Sequence, residues 1–549
     1  MPDLDALIEE FLANDYETSP VTASGLGLTD YDDRLDDLSS AAFDKREADA
    51  ASYLGRFVAI AADGLSADGR IDRDLAIAML RGRLIMAEWQ GWKRDPLVYS
   101  SPILSGLFVL FLHALRPNRE LVDAAVARLE QVPRALEQGA ANLDASLASR
   151  LIVERGLASA RGGARFLREI LPAEAHAEAD RERLRAAGET AGAAFDSWVA
   201  FLESFVERAR GEWAFGEERY TRLLRERENL AFDARSLREM GRAEYDRLDA
   251  EMRALALQIR GTDDWRAVLV QANEDHPATE AEMRATYAEW SERARAFLAR
   301  TGLVTLPKGE RCGVDPSPVF QRPVLGVAFY IAPPAFADTL AGTFFVPYAP
   351  DGAPPEEVQK RLASNSNGSI PSTTVHEAYP GHHWHLAWSK VNASPIRKVL
   401  STPYFNEGWA LYAERVMRER GFFTDPLQEL YHLEATIFRA ARIVVDTSLH
   451  LGEMSFDDAV EFMTTKVPLP EPTARAEVGR YCWWPTQASA YLTGCLEILR
   501  IRQRFLESRG LGDTPAGELD VAVLREFHDR LAGSGRLPLG LAERALLGA

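Results

Sequence analysis

His376-Glu-Ala-Tyr-Pro-Gly-His-His-Trp-His385 holds four of the ten histidines in a chain of 549 residues. Histidine is costly to bury without partners, and its special uses are metal ligation and acid/base chemistry, so this crowding predicts a zinc site. In such a site one imidazole holds the metal, and the glutamate beside it, Glu377, acts as general base on water.

The spacing decides the local fold. In a metal-binding helix the second histidine follows at i+4, on the same face, but position 380 is proline. His382, at i+6, would be rotated roughly 240° and displaced about 9 Å on an unbroken helix, too far to share one metal with His376. Pro380 removes a helical hydrogen bond and clashes with the carbonyl of residue 376, and Gly381 tolerates unusual dihedrals, so a bulge is expected there. A bulge that absorbs two residues returns His382 to an effective i+4. The motif resembles the Gly-His ending of the zinc motif in thimet-oligopeptidase-like enzymes and the lengthened motif of the dipeptidyl peptidase III family. That resemblance favours His382 over His383 as the second ligand and leaves His383 for contacts behind the site or with substrate.

Glu407 lies 31 residues after His376, in Tyr404-Phe-Asn-Glu-Gly-Trp-Ala-Leu-Tyr-Ala-Glu414, far enough for the chain to return and supply a third ligand. Glu414 falls two turns later on the same helical face and is expected to support the site from behind. Both could also be plain surface carboxylates. Arg442, Asp446 and His450 follow at i, i+4 and i+8 on a helix expected over about 428–451. They form either an intrahelical ion pair or a contact to the site or to a substrate carboxylate. In Arg480-Tyr-Cys-Trp-Trp-Pro-Thr-Gln-Ala-Ser-Ala-Tyr-Leu-Thr-Gly494, Gln487 and Tyr491 stand at i, i+4 on a helix expected to start near Pro485. Tyr491 is the first candidate to stabilise a developing oxyanion and Arg480 the second; a buried aromatic cluster is the competing reading.

The rest of the chain frames this stretch. Residues 1–300 are rich in Ala, Leu, Arg and Glu with apolar positions at helical spacing, which predicts a scaffold half of long antiparallel helices. Residues 301–549 form the expected catalytic half, the two making one contiguous fold. Its likeliest strands, Val324 to Ile331 and Thr343 to Tyr348, are rich in β-branched and aromatic residues and precede the metal helix. The fold class is therefore mainly α, a large helical bundle with a small β-sheet beside a zincin-like helix. Thr18 to Ser40 reads as irregular surface chain.

Composition narrows the function classes. Hydrophobic residues at 46% and charged residues at 26% are ordinary for a globular protein. A formal charge of −19 speaks against nucleic-acid or anionic-membrane partners. Cys312, Cys482 and Cys495 are too few for a disulfide framework and are expected as small buried hydrophobes. No basic or apolar leader opens the sequence, so the cytoplasm is the expected compartment. The apolar run Ile103 to Leu115 is shorter than the roughly 20 residues a membrane span needs, so it reads as a core helix. Nothing in the sequence specifies an oligomer.

With these residues in view, the chain resembles the bacterial family catalogued as domain of unknown function 885, similar to a divergent branch of the thermolysin-like zinc metallopeptidases. The matching stretches are Gly25-Leu-Gly-Leu-Thr-Asp-Tyr-Asp-Asp-Arg-Leu35, His376-Glu-Ala-Tyr-Pro-Gly-His-His383, Glu407-Gly-Trp-Ala-Leu-Tyr-Ala-Glu414, Arg439-Ala-Ala-Arg-Ile-Val-Val-Asp-Thr447, and Arg480-Tyr with Pro485, Gln487, Ala488, Tyr491 and Gly494. The resemblance implies a neurolysin-like architecture with one catalytic zinc. Thr486 departs from the family, which usually has Gly there, and so does Leu451-Gly-Glu-Met454 after the helix-end histidine. The expected activity is that of a gluzincin-like zinc hydrolase acting on a short peptide or amide. His376, His382 and Glu407 hold Zn2+, Glu377 serves as base, and Tyr491 or Arg480 sits at the oxyanion. Hydrolysis of a non-peptide amide in a specialised pathway, or a zinc-containing binding protein without turnover, are the alternatives; the presence of a base argues against the second.

Overall fold

The computed structural model describes residues 3–319, 321–322, 326–391 and 394–548. Among the described residues the protein is mainly α-helical with one three-stranded sheet, as the helical spacing and strand-like runs of the sequence predict. It divides into two compact units, Met1–Phe215 with Pro334–Asp338, and Gly216–Pro333 with Thr339–Ala549.

The first unit is built from long helices, among them Asn118–Asn142 and Glu178–Val206. The apolar run near residue 103 lies in helix Leu97–His113, and among the described residues no single helix is long and apolar enough to cross a membrane. Thr18 to Ser40 is more than surface chain. It contains the helix Pro20–Gly25 and a 3-10 turn at Thr29–Tyr31, tied down by the buried Arg128. That guanidinium donates to the carbonyls of Gly106 at 2.8 Å, Arg34 at 3.2 Å and Tyr31 at 3.3 Å, so one buried side chain ties this segment to helix Leu97–His113.

The second unit begins well before residue 300, where the sequence reading divides the chain. Helix Ala234–Arg260, opened by the Asp233/Ser236 capping box, buries Leu237, Gly241, Tyr245, Leu248, Met252 and Ala256 at helical spacing. This stripe packs along helix Pro426–His450. The composition change near Gly302 is where helix Glu280–Thr301 ends on a left-handed glycine; it marks a switch from helix to strand inside one unit.

The sheet has the order β1 (Arg311–Pro316), β3 (Ala341–Val346), β2 (Phe329–Ile331), with β3 central. β1 runs parallel to β3, pairing Val314 with Phe344, and β2 antiparallel, pairing Tyr330 with Phe344. Of the expected first strand only Phe329–Ile331 forms, with Val324 and Leu325 outside the described residues. β1 carries Arg-Cys-Gly-Val-Asp-Pro, with no β-branched or aromatic run to announce it. Cys482 and Cys495 are buried as expected, whereas Cys312 on β1 is partly exposed.

Two helices that carry site residues, Pro403–Glu419 and Ala490–Ser508, cross at a pair of glycines. A Cβ on Gly494 would stand 2.0 Å from the Tyr404 carbonyl oxygen, and one on Gly408 2.5 Å from Gly494 itself. Only glycine permits this backbone approach. Glu407 adjoins Gly408 at the crossing, and Tyr491 lies three residues before Gly494 on the other helix.

Candidate metal centre

The motif folds as two helices, Ile370–Glu377 and His382–Lys390, joined by a bulge. Ser369 precedes the first but makes no side-chain cap; its Oγ donates to the Ser366 carbonyl. The Gly381 N–H donates to the Val375 carbonyl at 3.0 Å and the Trp384 N–H to the Ala378 carbonyl at 3.2 Å. Each bond reaches back six residues, where an α-helix reaches four, so the bulge absorbs two residues. A Cβ at Gly381 would lie 1.9 Å from the His376 carbonyl oxygen, and Trp409 Nε1 donates to the Pro380 carbonyl at 2.8 Å. The bulge is thus held by tertiary contacts as well as by its own residues.

Its consequence is geometric. Donor atoms of His376, His382 and Glu407 all lie within 4.8 Å of one another. Glu407 Oε2 stands 3.7 Å from His376 Nε2 and 3.4 Å from His382 Nε2, and the two imidazoles are nearly perpendicular with centroids 4.9 Å apart. Behind them, Glu414 Oε1 accepts a hydrogen bond from His376 Nδ1 at 2.8 Å, and Nε2 faces Glu407. Glu414 Oε2 accepts from Ser372 Oγ at 2.6 Å and meets His432 Nδ1 at 3.2 Å.

The donor set suits a divalent cation. Two imidazoles and a carboxylate are a common catalytic zinc triad. His382 Nδ1 is buried with no hydrogen-bond partner. Glu377 and Glu414 are buried, Glu407 largely so, and Arg439, 3.9 Å from Glu414, offsets one of these charges. Burial would raise Glu407 and Glu414, but the close imidazole of His376 on both, joined by His382 on the first and His432 on the second, outweighs it and holds both well below the usual carboxylate range. Burial would lower His376, yet the carboxylates of Glu407 and Glu414 beside it lift it to about 9. A cation at Nε2 would satisfy the same carboxylates that hold this proton. Glu377 is different: burial dominates and raises its carboxyl above the ordinary value.

Tyr491 lies beside the triad. Its ring is nearly parallel to His376, centroids 6.4 Å apart, and its Oη accepts from Gln487 Nε2 at 3.3 Å. The expected helix from Pro485 does not form. Helix Glu471–Trp483 ends, a turn follows in which Thr486 has φ +70°, and a new helix starts at Ala490. Gln487 therefore reaches Tyr491 from the turn. Arg480, on the preceding helix, donates to Gln487 Oε1, and to Glu477 Oε2 at 2.9 Å. Arg442 donates to Glu477 at 2.8 Å and to Tyr481 Oη at 3.1 Å, in place of the intrahelical pair with Asp446.

Asp446 and His450 belong to another buried network. Asp446 accepts from Tyr220 Oη at 2.6 Å, and burial raises it to about 7. His450 Nε2 lies 3.0 Å from the Tyr481 carbonyl, and burial lowers it to about 4. His383 is also a structural group: Nε2 meets Glu310 Oε2 and Nδ1 meets Tyr330 Oη, both at 2.9 Å. Burial would raise Glu310, but bonds from His383, Tyr379 and Arg295 bring it down to about 2. His385 is fully buried, stacks on Phe405 at 4.9 Å, and has both ring nitrogens unpaired. Of the four clustered histidines, two converge on Glu407, one ties the helix to the sheet, and one is packing.

Sequence reasoning missed Glu310, His432 and Arg439 as site residues. His432 and Arg439 stand two turns apart on helix Pro426–His450, a spacing that does put them on one face. Glu310 gave no local signal.

The family description "Bacterial protein of unknown function (DUF885)" matches residues 20–546. The chain belongs to this DUF885 family. No curated protein matches it. A solved structure from Shewanella oneidensis, described as a putative lipoprotein of unknown function, is 19% identical over 100% of both chains with a TM-score of 0.80. A second, described as the putative lipoprotein from Colwellia psychrerythraea, is 20% identical over 99% of this chain and 98% of its own, with a TM-score of 0.82. At this identity the likeness is one of fold. Their description as lipoproteins overturns the cytoplasmic expectation, which rested only on the lack of a visible leader.

Proposed function

We propose that this DUF885 protein is a zinc-dependent hydrolase, a metallopeptidase of neurolysin-like kind that cleaves short peptides. The observation that carries the reading is the bulge, which brings His382 to His376 and Glu407 while leaving the adjacent Glu377 outside the donor set. A structural zinc site needs no such carboxylate.

His376, His382 and Glu407 would hold the metal, with Glu414 fixing the His376 tautomer. Zinc, when bound, supplies Lewis acidity and makes water nucleophilic near neutral pH. Glu377, whose carboxyl burial raises above its ordinary value, accepts the proton of the attacking water and returns it to the leaving amine. Tyr491 donates its Oη proton as a hydrogen bond to the carbonyl oxygen as charge develops there; His376 on its face and Gln487 at its hydroxyl fix its position. The outer strands β1 and β2 offer edges to which an extended peptide can add.

The test is metal analysis of protein purified without chelators, paired with cleavage of short unblocked peptides. Glu377→Gln should keep zinc and fold and lose at least about 100-fold in turnover, whereas Glu407→Gln should lose zinc. Full zinc occupancy with no cleavage of any peptide or amide would favour a binding protein; zinc lost equally from both variants would make Glu377 a ligand.

A further inference from the structure

Tyr491 is surrounded by arginine. The Arg442 guanidinium lies 4.9 Å and that of Arg439 5.5 Å from the centre of its ring, and Arg480 reaches its hydroxyl through Gln487. Two fixed positive charges therefore adjoin the ring that stacks beside His376, and a third is linked to its hydroxyl. Their hydrogen-bond donors are not all used. Arg442 and Arg480 share a single carboxylate, Glu477, at 2.8 and 2.9 Å. The nearest carboxylate to Arg439, Glu414 at 3.9 Å, already serves Ser372, His376 and His432. Arg439 donates through Nη1 to the Ala435 carbonyl, yet its Nε is buried with no hydrogen-bond partner. A buried guanidinium with an unused donor, and two more sharing one acid, form a site with hydrogen-bond donors left over for a carboxylate. The cluster is reachable: the Arg480 and Glu477 side chains are 21% and 22% exposed.

We propose that Arg439, Arg442 and Arg480 form a carboxylate subsite beside the candidate metal centre, which takes the free C-terminal carboxylate of a short peptide or acyl amino acid. This rests on the hydrolase reading and narrows it to a substrate class. The planar guanidinium fork matches a carboxylate in two parallel hydrogen bonds, which an ammonium cannot do. Tyr491 then stands between the anchored terminus and the bond to be cut, so a substrate with a blocked or distant terminus loses its anchor.

The test uses two tripeptide pools of random sequence, identical except that one ends in free carboxylates and the other in carboxamides. Binding is measured by retention on full-length zinc-loaded Glu377→Gln protein, and cleavage on the wild type. The free acids should be retained at least about 10-fold better. Arg480→Gln should abolish that preference and Arg480→Lys restore only part of it, with zinc content unchanged in both; the acid-to-amide contrast in the parent decides the question even if Arg480→Gln fails to fold. Equal retention of the two pools, or retention of neither, overturns the subsite. An amide pool whose retained members all carry Asp or Glu also overturns it, assigning the arginines to an acidic side chain. A preference for free acids with no cleavage leaves the subsite standing and removes the hydrolase reading.

Discussion

Replacing His382 and His383 in turn by alanine separates two adjacent residues that the structure sends to opposite tasks. His383 is fully buried between Glu310 and Tyr330, with both nitrogens engaged at 2.9 Å. The bond to the Glu310 carboxylate is charge-assisted, on the order of 1.5–3 kcal/mol, and the bond with the tyrosine contributes about 1 kcal/mol. His383→Ala should therefore destabilise the protein by about 3 kcal/mol, more if the cavity stays open, and leave zinc binding intact. His382 has an unpaired Nδ1 and one 3.4 Å contact to Glu407. Its removal should cost the metal-free protein about 1 kcal/mol and release zinc. Zinc titration reads the first property, and denaturant unfolding of chelated protein the second. If His383→Ala releases zinc without loss of stability while His382→Ala retains it, the register is off by one and the bulge argument is wrong.

Three other outcomes follow from named contacts. Tyr491→Phe keeps the ring against His376 but removes the hydroxyl, so kcat should fall roughly 10²- to 10³-fold with zinc content unchanged; unaltered turnover would return Tyr491 to the aromatic core. Burial raises Asp446 to about 7, above the unfolded value of about 4, so the folded state holds an extra proton between these values. Its contribution to stability should be complete below about pH 4 and decline as the pH rises through about 7; Asp446→Asn should flatten that slope in unfolding measured from pH 4 to 8, and an unchanged slope would contradict the assignment. Thr486 is a β-branched residue at φ +70°, a region that favours glycine. Thr486→Gly should raise stability by about 1 kcal/mol, strain relieved less the entropy of glycine, and a lower melting temperature would refute it.

Much of the site is legible in the sequence because its signals are local. Proline and glycine act on their own backbone within one turn, so Pro380 and Gly381 announce a distortion, and the count of two extra residues follows from where His382 must go. Glu407 and Glu414, seven apart, share a face by helical geometry alone, and the helical class follows from the period of apolar residues. The compartment was not legible.

Partners across the chain were decided elsewhere. His383 and His385 look as fit for metal as His382 in the sequence; only packing gives His383 a carboxylate 73 residues away and lays His385 on Phe405. Arg442 has an acid at i+4 but pairs with Glu477, 35 residues on, because that carboxylate is held between two arginines. β1 exists because β3 lies beside it, and its own residues have little strand preference. The sequence by itself thus determined which donors the chain carries and how its backbone bends near them, since both depend on neighbours within a turn. The tertiary structure alone decided which donors face one another, since that depends on close approaches such as the Gly408–Gly494 crossing, where two distant segments meet with no side chain between.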